Sequence, residues 1–262
     1  MSSAPLLTID IGNTSLTLGL FAGEVLSAHW ELATDVRRTA DEYGLQILGL
    51  LQRCHIAAEA LAGVCLCSVV PALSEIVSAA CAEYLGQVPF VLNSDSKTGL
   101  INRYETPETL GMDRIADVAA VYHLYGGPAI VIDFGTATTF NALSGHAEFL
   151  GGAIAPGLAV ASEALFQHTN RLPRVNPQLP PSVIGRNTAH AMQSGLLFGY
   201  VSLVEGMIER FKAELGPDTR VVATGGLAQI ISHQTAKIDV HSPWLTLEGL
   251  RILWALNRGA AK

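Results

Sequence analysis

Long runs of one charge are missing from this 262-residue chain. Sixteen Lys and Arg stand against 23 Asp and Glu, a formal net charge of −7, and Arg37-Arg38 is the one adjacent basic pair. A basic stripe interleaved with aromatics is the footprint of nucleic-acid binding. With scattered cations and only 6% aromatic residues, no nucleic-acid partner is expected. Charge is sparse altogether, at 15% against 49% hydrophobic residues, the reverse of the composition that keeps chains disordered. Glycine and proline show no period, which excludes a fibrous chain. Cysteine is scarce too. Cys54, Cys65, Cys67 and Cys81 match neither a disulfide framework nor paired C-x-x-C zinc spacing, and read as reduced, buried structural thiols. No unbroken apolar run reaches the ~18 residues of a membrane span. The opening MSSAPLLTIDIGN lacks a positively charged start, and Asp10 interrupts its apolar stretch, unlike a signal peptide. The expectation is a soluble cytoplasmic protein that engages no membrane.

The length fits one large domain or two modest ones at about 150 residues each, enough to bury a core without staples. Leu6 to Phe21 reads as two β-rich runs around a Gly-Asn turn, and Ala129 to Leu143 repeats that plan. Aligned on their aspartates, I-D-I-G-N-T faces I-D-F-G-T-A. A repeat this widely spaced points to a duplicated fold rather than a solenoid. Between the two runs, Thr39 to Arg53 has helical spacing and Leu61 to Val70 reads as a buried strand. Pro71 opens a helix, and Thr106-Pro107-Glu108 is a second helix-start signature whose stretch stops at Gly126-Gly127. Residues 169–186 form a Pro-rich, weakly periodic stretch that reads as a loop or lid segment. A long helix is expected from Thr188 to Leu215, capped by Asn187 or Thr188 and stopped by Gly216-Pro217. The strand VVATGG and a helix from Leu247 to Asn257 close the chain, so the class is mixed α/β.

Three segments can carry chemistry. In the first hairpin, a tight turn of small residues lets backbone N–H groups approach a polyphosphate, and Asn13, Thr14, Ser15 and Thr17 add donors. An acidic residue at each strand end suits a hydrated cation bridging phosphates. Asp, Gly and Asn also form ordinary turns, but a second copy behind a second apolar strand weighs against that reading. There is no Walker A or Rossmann glycine motif, and no G-x-S-x-G elbow. In YETPETLGMDRIAD, Asp113 could accept a proton from a hydroxyl and Arg114 could grip a carboxylate. Equally, Asp113 could complement a helix dipole and Arg114 form a surface ion pair. ATGGLA could pack against a flat base or simply let a helix lie on a sheet. The eight histidines show no metal spacing.

IDIGNTSLTLGLF, CSVVPAL, the Y-x6-GMDR segment, DFGTATTF, GGAIAPGL, IGRNTAHAMQSGLLFGY, ATGGLA and LTLEGL stand in one order from Ile9 to Leu250. In that order they resemble the type III pantothenate kinases of the acetate and sugar kinase, Hsc70 and actin superfamily. The resemblance implies two duplicated actin-like, ribonuclease H-like lobes, residues 1–120 and 121–262, with a nucleotide cleft between them. It also implies a homodimer that phosphorylates pantothenate with ATP, the first step of coenzyme A biosynthesis. Carried over by motif, Asp10, Ile11, Gly12, Asn13, Thr14, Ser15, Leu16 and Thr17 would bind ATP, with Asp10 near magnesium. Thr136 would be a further ATP contact. Tyr104, Gly111, Met112, Asp113, Arg114 and Thr188 would line the pantothenate site, with Asp113 as general base. Asp133 would hold a monovalent cation, K+ or NH4+. One position departs from the pattern: Asn141 stands where the family often has Asp, which removes a negative charge near that cation. Two other readings are a kinase of the same superfamily acting on a sugar or acetate, and a non-catalytic accessory factor for gene expression.

Overall fold

The structure, a computed structural model, describes residues 4–258. The first hairpin is β1 (Leu6–Ile11) and β2 (Ser15–Ala22), closed by a Gly12 N–H bond to the Ser15 carbonyl at 2.9 Å. β3 (Val25–Ala33) continues the meander. α1 (Ala40–Arg53) starts at a reciprocal cap, in which Thr39 Oγ1 accepts from the Glu42 N–H and the Glu42 carboxylate accepts from the Thr39 N–H. β4 (Gly63–Ser68) precedes α2 (Pro71–Leu85), which has Pro at its first position and Gly86 in the left-handed region at its end. Two short strands follow, β5 (Phe90–Val91) and β6 (Ile101–Asn102).

The helix-start signature at Thr106 behaves differently from expectation. It makes a single 3-10 turn, Pro107–Thr109, and α3 (Met112–Tyr125) begins only after Leu110 has returned to extended backbone. The Thr106 hydroxyl is spent on the Thr109 hydroxyl at 3.0 Å instead of capping a helix. Then come β7 (Ala129–Phe134), β8 (Ala137–Leu143), β9 (Glu148–Pro156) and α4 (Leu158–Gln167). Residues 168–187 carry no helix or strand. α5 (Thr188–Leu215) is capped by Asn187, whose Oδ1 accepts from the His190 N–H at 2.8 Å, and ends at Gly216. β10 (Arg220–Thr224), α6 (Ala228–Ser232), β11 (Val240–His241) and α7 (Leu245–Arg258) complete the chain.

The strands form two sheets, ordered β3-β2-β1-β4-β5 and β11-β10-β7-β8-β9-β6. Read from its other edge, the second sheet repeats the first, with β6 added beyond β9. Senses repeat as well: β1–β2 and β7–β8 are antiparallel, while β1–β4 and β7–β10 are parallel. The duplication expected from the two aspartate hairpins is therefore carried by whole sheets.

By contacts, the described residues divide into one unit of 4–100, 104–123 and 245–258, and another of 101–103 and 124–244. This differs from a division in which everything after residue 120 belongs to the second lobe. The physical reason is α7, which packs on β1, β2 and β4 with Leu245, Leu247, Leu250 and Leu253 buried. In the first unit, Leu7, Ile9 and Ile11 face Ile47, Leu51, Leu73 and Val77 of α1 and α2. The alternating residues Thr8 and Asp10 therefore take the opposite face, that of α7. In the second unit, Ile130, Ile132, Phe140 and Val221 pack against Leu197, Val204 and Ile208 of α5. By length and composition α5 is apolar enough to cross a bilayer, a property hidden from a search for unbroken runs by its interspersed polar residues. Half of its apolar window is buried in the protein.

Candidate active site

Within the first unit, β1, β4 and the start of α3 bring together three side chains. Asp10 lies near the end of β1, in register with Cys67 of the parallel β4, and the Cys67 thiol donates to Asp10 Oδ1 at 3.1 Å. Asp113, in the first turn of α3, is close enough for its charge to raise the Asp10 pKa. Burial first, and then the Asp113 carboxylate, push Asp10 from 3.8 up to about 7, against the lowering effect of the thiol. Asp113 is also raised by burial, opposed by its bond from the Arg114 N–H (2.8 Å) and by the Arg114 charge. Two buried carboxylates with raised pKa values, one of them raised in part by the other, suit a bound cation or a proton transfer.

Gly111 keeps the approach to Asp113 open, since an added Cβ would run into the Asp113 carboxylate. Arg114, expected from one reading as a surface ion-pair partner, is instead 7% exposed, with its guanidinium over the Tyr104 ring at 5.6 Å. The GMDR segment and Tyr104 thus form one cluster. Around the hairpin, Asn13 and Thr14 are exposed, Ser15 and Thr17 half-buried. Ile11 and Leu16 are fully buried core residues, which leaves only their backbone to meet a ligand.

The second unit holds the other candidates. Asp133 occupies in β7 the place of Asp10 in β1, in register with Thr139 of β8 and Thr224 of β10. Gly225, at φ 90°, closes over it: a Cβ there would run into Asp133 Oδ1 and the Phe134 backbone. Asn141 is wholly buried and donates from Nδ2 to Thr139 Oγ1 at 3.2 Å. Thr136 is exposed in the β7–β8 turn, where its carbonyl accepts from the Gly157 N–H. Thr188 is exposed at the first residue of α5.

Among the described residues no three His, Cys, Asp or Glu side chains are grouped to cage a metal. The donor set fits magnesium all the same, because that ion is commonly held by one or two carboxylates plus phosphate oxygens and water. Asp133 with two hydroxyl residues in register fits a loosely held monovalent cation, to which Asn141 adds no charge. Sequence reasoning took Cys67 for a structural thiol. It is buried and free as expected, and its register opposite Asp10 adds a hydrogen bond to that carboxylate that the sequence did not display.

Relatives give these clusters a common setting. The chain is 49% identical over 252 residues to the type III pantothenate kinase of Moorella thermoacetica, covering 96% of this chain and 99% of the relative. It is 46% identical over 253 residues to that of a Roseiflexus species, covering 97% and 99%. Among solved structures, one described as a Baf family transcriptional activator from Campylobacter jejuni matches at 20% identity with a TM-score of 0.61, over 97% of this chain and 99% of that one. The inorganic polyphosphate/ATP-glucomannokinase of an Arthrobacter species matches at 17% identity and a TM-score of 0.50, over 97% and 99%. At such identities these structures speak for the fold alone, α/β with two actin-like lobes. The sequence pattern of the type III pantothenate kinases spans residues 6–210, from β1 through the GMDR turn and both aspartate hairpins into α5. With that span and those relatives, the chain belongs to the type III pantothenate kinase family.

Proposed function

We propose that this protein phosphorylates pantothenate with ATP, in the first step of coenzyme A biosynthesis, with Asp113 as general base. The observation that carries the reading is the pairing of Asp10 and Asp113 at the open turn before α3. Asp113 takes the proton of pantothenate's primary hydroxyl. That oxygen bonds to the γ-phosphorus as the bond from phosphorus to the β–γ bridging oxygen breaks, giving 4′-phosphopantothenate and ADP. Tyr104, Gly111, Met112, Arg114 and Thr188 bind the acceptor, and Arg114 takes its carboxylate, since a planar fork fixes orientation as well as charge. The turn from Asp10 to Thr17 presents its N–H groups to the phosphates, with Thr136 a second contact. Magnesium at Asp10 and K+ or NH4+ at Asp133, when bound, supply positive charge to the polyphosphate.

The working form is a homodimer in the cytoplasm. Ile154, Val183 and Ile184, on β9 and the segment before α5, are exposed apolar side chains that a second copy could cover. The test measures pantothenate-dependent ADP release with magnesium in potassium and in sodium buffer. Turnover strongest in potassium, reduced roughly 10²–10⁴-fold in Asp113→Asn, is expected for a lost general base. Turnover indifferent to the cation would remove Asp133 from its role, with Asn141 as the reason. No turnover from folded protein would overturn the reading.

A further inference from the structure

Cys67 is fully buried, yet its thiol sits among polar groups and not in the apolar cluster under α1 and α2. It lies opposite Asp10 in the parallel β1–β4 ladder and donates to Oδ1 at 3.1 Å. Across the duplication the same place, on the strand parallel to the aspartate-bearing one, is held by Thr224 opposite Asp133. Both sheets thus put a short hydrogen-bonding side chain beside the central carboxylate. The Asp113 charge acts against the ionised form of Asp10, and the thiol bond acts for it. In that bond the thiol is the donor, so it adds no negative charge beside the carboxylate.

We propose that Cys67 is a positioning residue: its S–H fixes Oδ1 of Asp10 and leaves Oδ2 turned to the phosphates of the nucleotide. The proposal rests on the reading of Asp10 as part of the nucleotide site. It assigns to a thiol what burial alone would class as core filling.

Binding of ADP in the presence of magnesium chloride, measured by calorimetry, tests it on Cys67→Ala, Cys67→Val, Cys67→Ser and Asp10→Ala. Circular dichroism and melting temperature check the fold of each. The two variants without a donor are expected to bind ADP about five- to tenfold more weakly, the scale of one modest hydrogen bond to a charged group. Their KM for ATP should rise while that for pantothenate stays put. Cys67→Ser, which restores a hydroxyl donor, should bind as the parent does. A merely structural role would lower melting temperatures and leave the affinity of the folded protein unchanged. If Asp10→Ala loses ADP binding but the donor-free variants keep it, the proposal fails and the reading of Asp10 stands. Serine as damaging as valine overturns it too. If Asp10→Ala itself still binds ADP, the reading of Asp10 fails and Cys67 loses its role with it.

Discussion

Asp113 is held in the fold at a cost in stability. Burial raises its pKa above 3.8, so the folded chain binds that proton more tightly than the unfolded chain does. Its favourable contribution is complete below the unfolded value and is lost as pH rises through the folded one. Asp113→Asn removes the charge for good. It should therefore raise the melting temperature of the metal-free protein, and by more at pH 8 than at pH 4, by about 2–4 °C for each kcal/mol relieved. Equal gains at both pH values would show that the ionised carboxylate is not strained. Gly225 is the second residue under tight constraint. Gly225→Ala forces a side chain into the left-handed region and against Asp133, and a loss of about 1–3 kcal/mol is expected from urea unfolding, together with a weaker response to potassium. These roles were unevenly legible. Asp10, Asp113 and Asp133 stood out because small residues surround them in repeating or family-like motifs. The pairing of Asp10 with Asp113 did not, since no local spacing links residues so distant in the chain. Nor did the burial of Arg114, which follows from Tyr104 folding back over it.

Among the elements, those with end signals could be read directly. The Thr39 box and Asn187 start α1 and α5 by local hydrogen bonding, Pro71 starts α2 where its missing N–H costs nothing, and Gly216 ends α5, all signals a sequence displays. β9 and α4 carry no such signals. The Gly-rich GGAIAP and the weakly patterned LAVASEALF acquire their structure from neighbours, β8 on one side and α5 on the other. α7 showed an apolar face, but not what that face covers. It lies against α3 so closely that a Cβ on Gly249 would run into the Ala116 carbonyl, and the Thr246 hydroxyl donates to the buried Asp117 at 2.7 Å. Asp117 is one turn beyond Asp113 on the same helix, so α7 braces the helix that carries the proposed base. Gly249→Ala should lower stability by about 1–3 kcal/mol, the usual cost of overpacking, and should reduce kcat as α3 shifts. An unchanged urea midpoint would show that the two helices can part without loss.

For the whole molecule, the duplicated sheets make the family fold readable from two short hairpins, whereas the proposed dimer has no motif of its own in the sequence. Ile154→Glu with Ile184→Glu should yield monomers by analytical ultracentrifugation, because two buried charges outweigh the apolar area they replace. Thr188 begins a helix just beyond this segment, so the monomer should also show a higher KM for pantothenate. A doubly substituted protein that still sediments as a dimer would place the contact elsewhere. The return of α7 to the first sheet has a consequence for biosynthesis. As the chain leaves the ribosome, residues 124–244 emerge as one uninterrupted stretch, while the sheet begun at Leu6 waits for Leu245–Arg258 before its α7 face is covered. The later unit can thus finish folding before the earlier one, and Asp10 and Asp113 take up their final surroundings only once α7 has emerged.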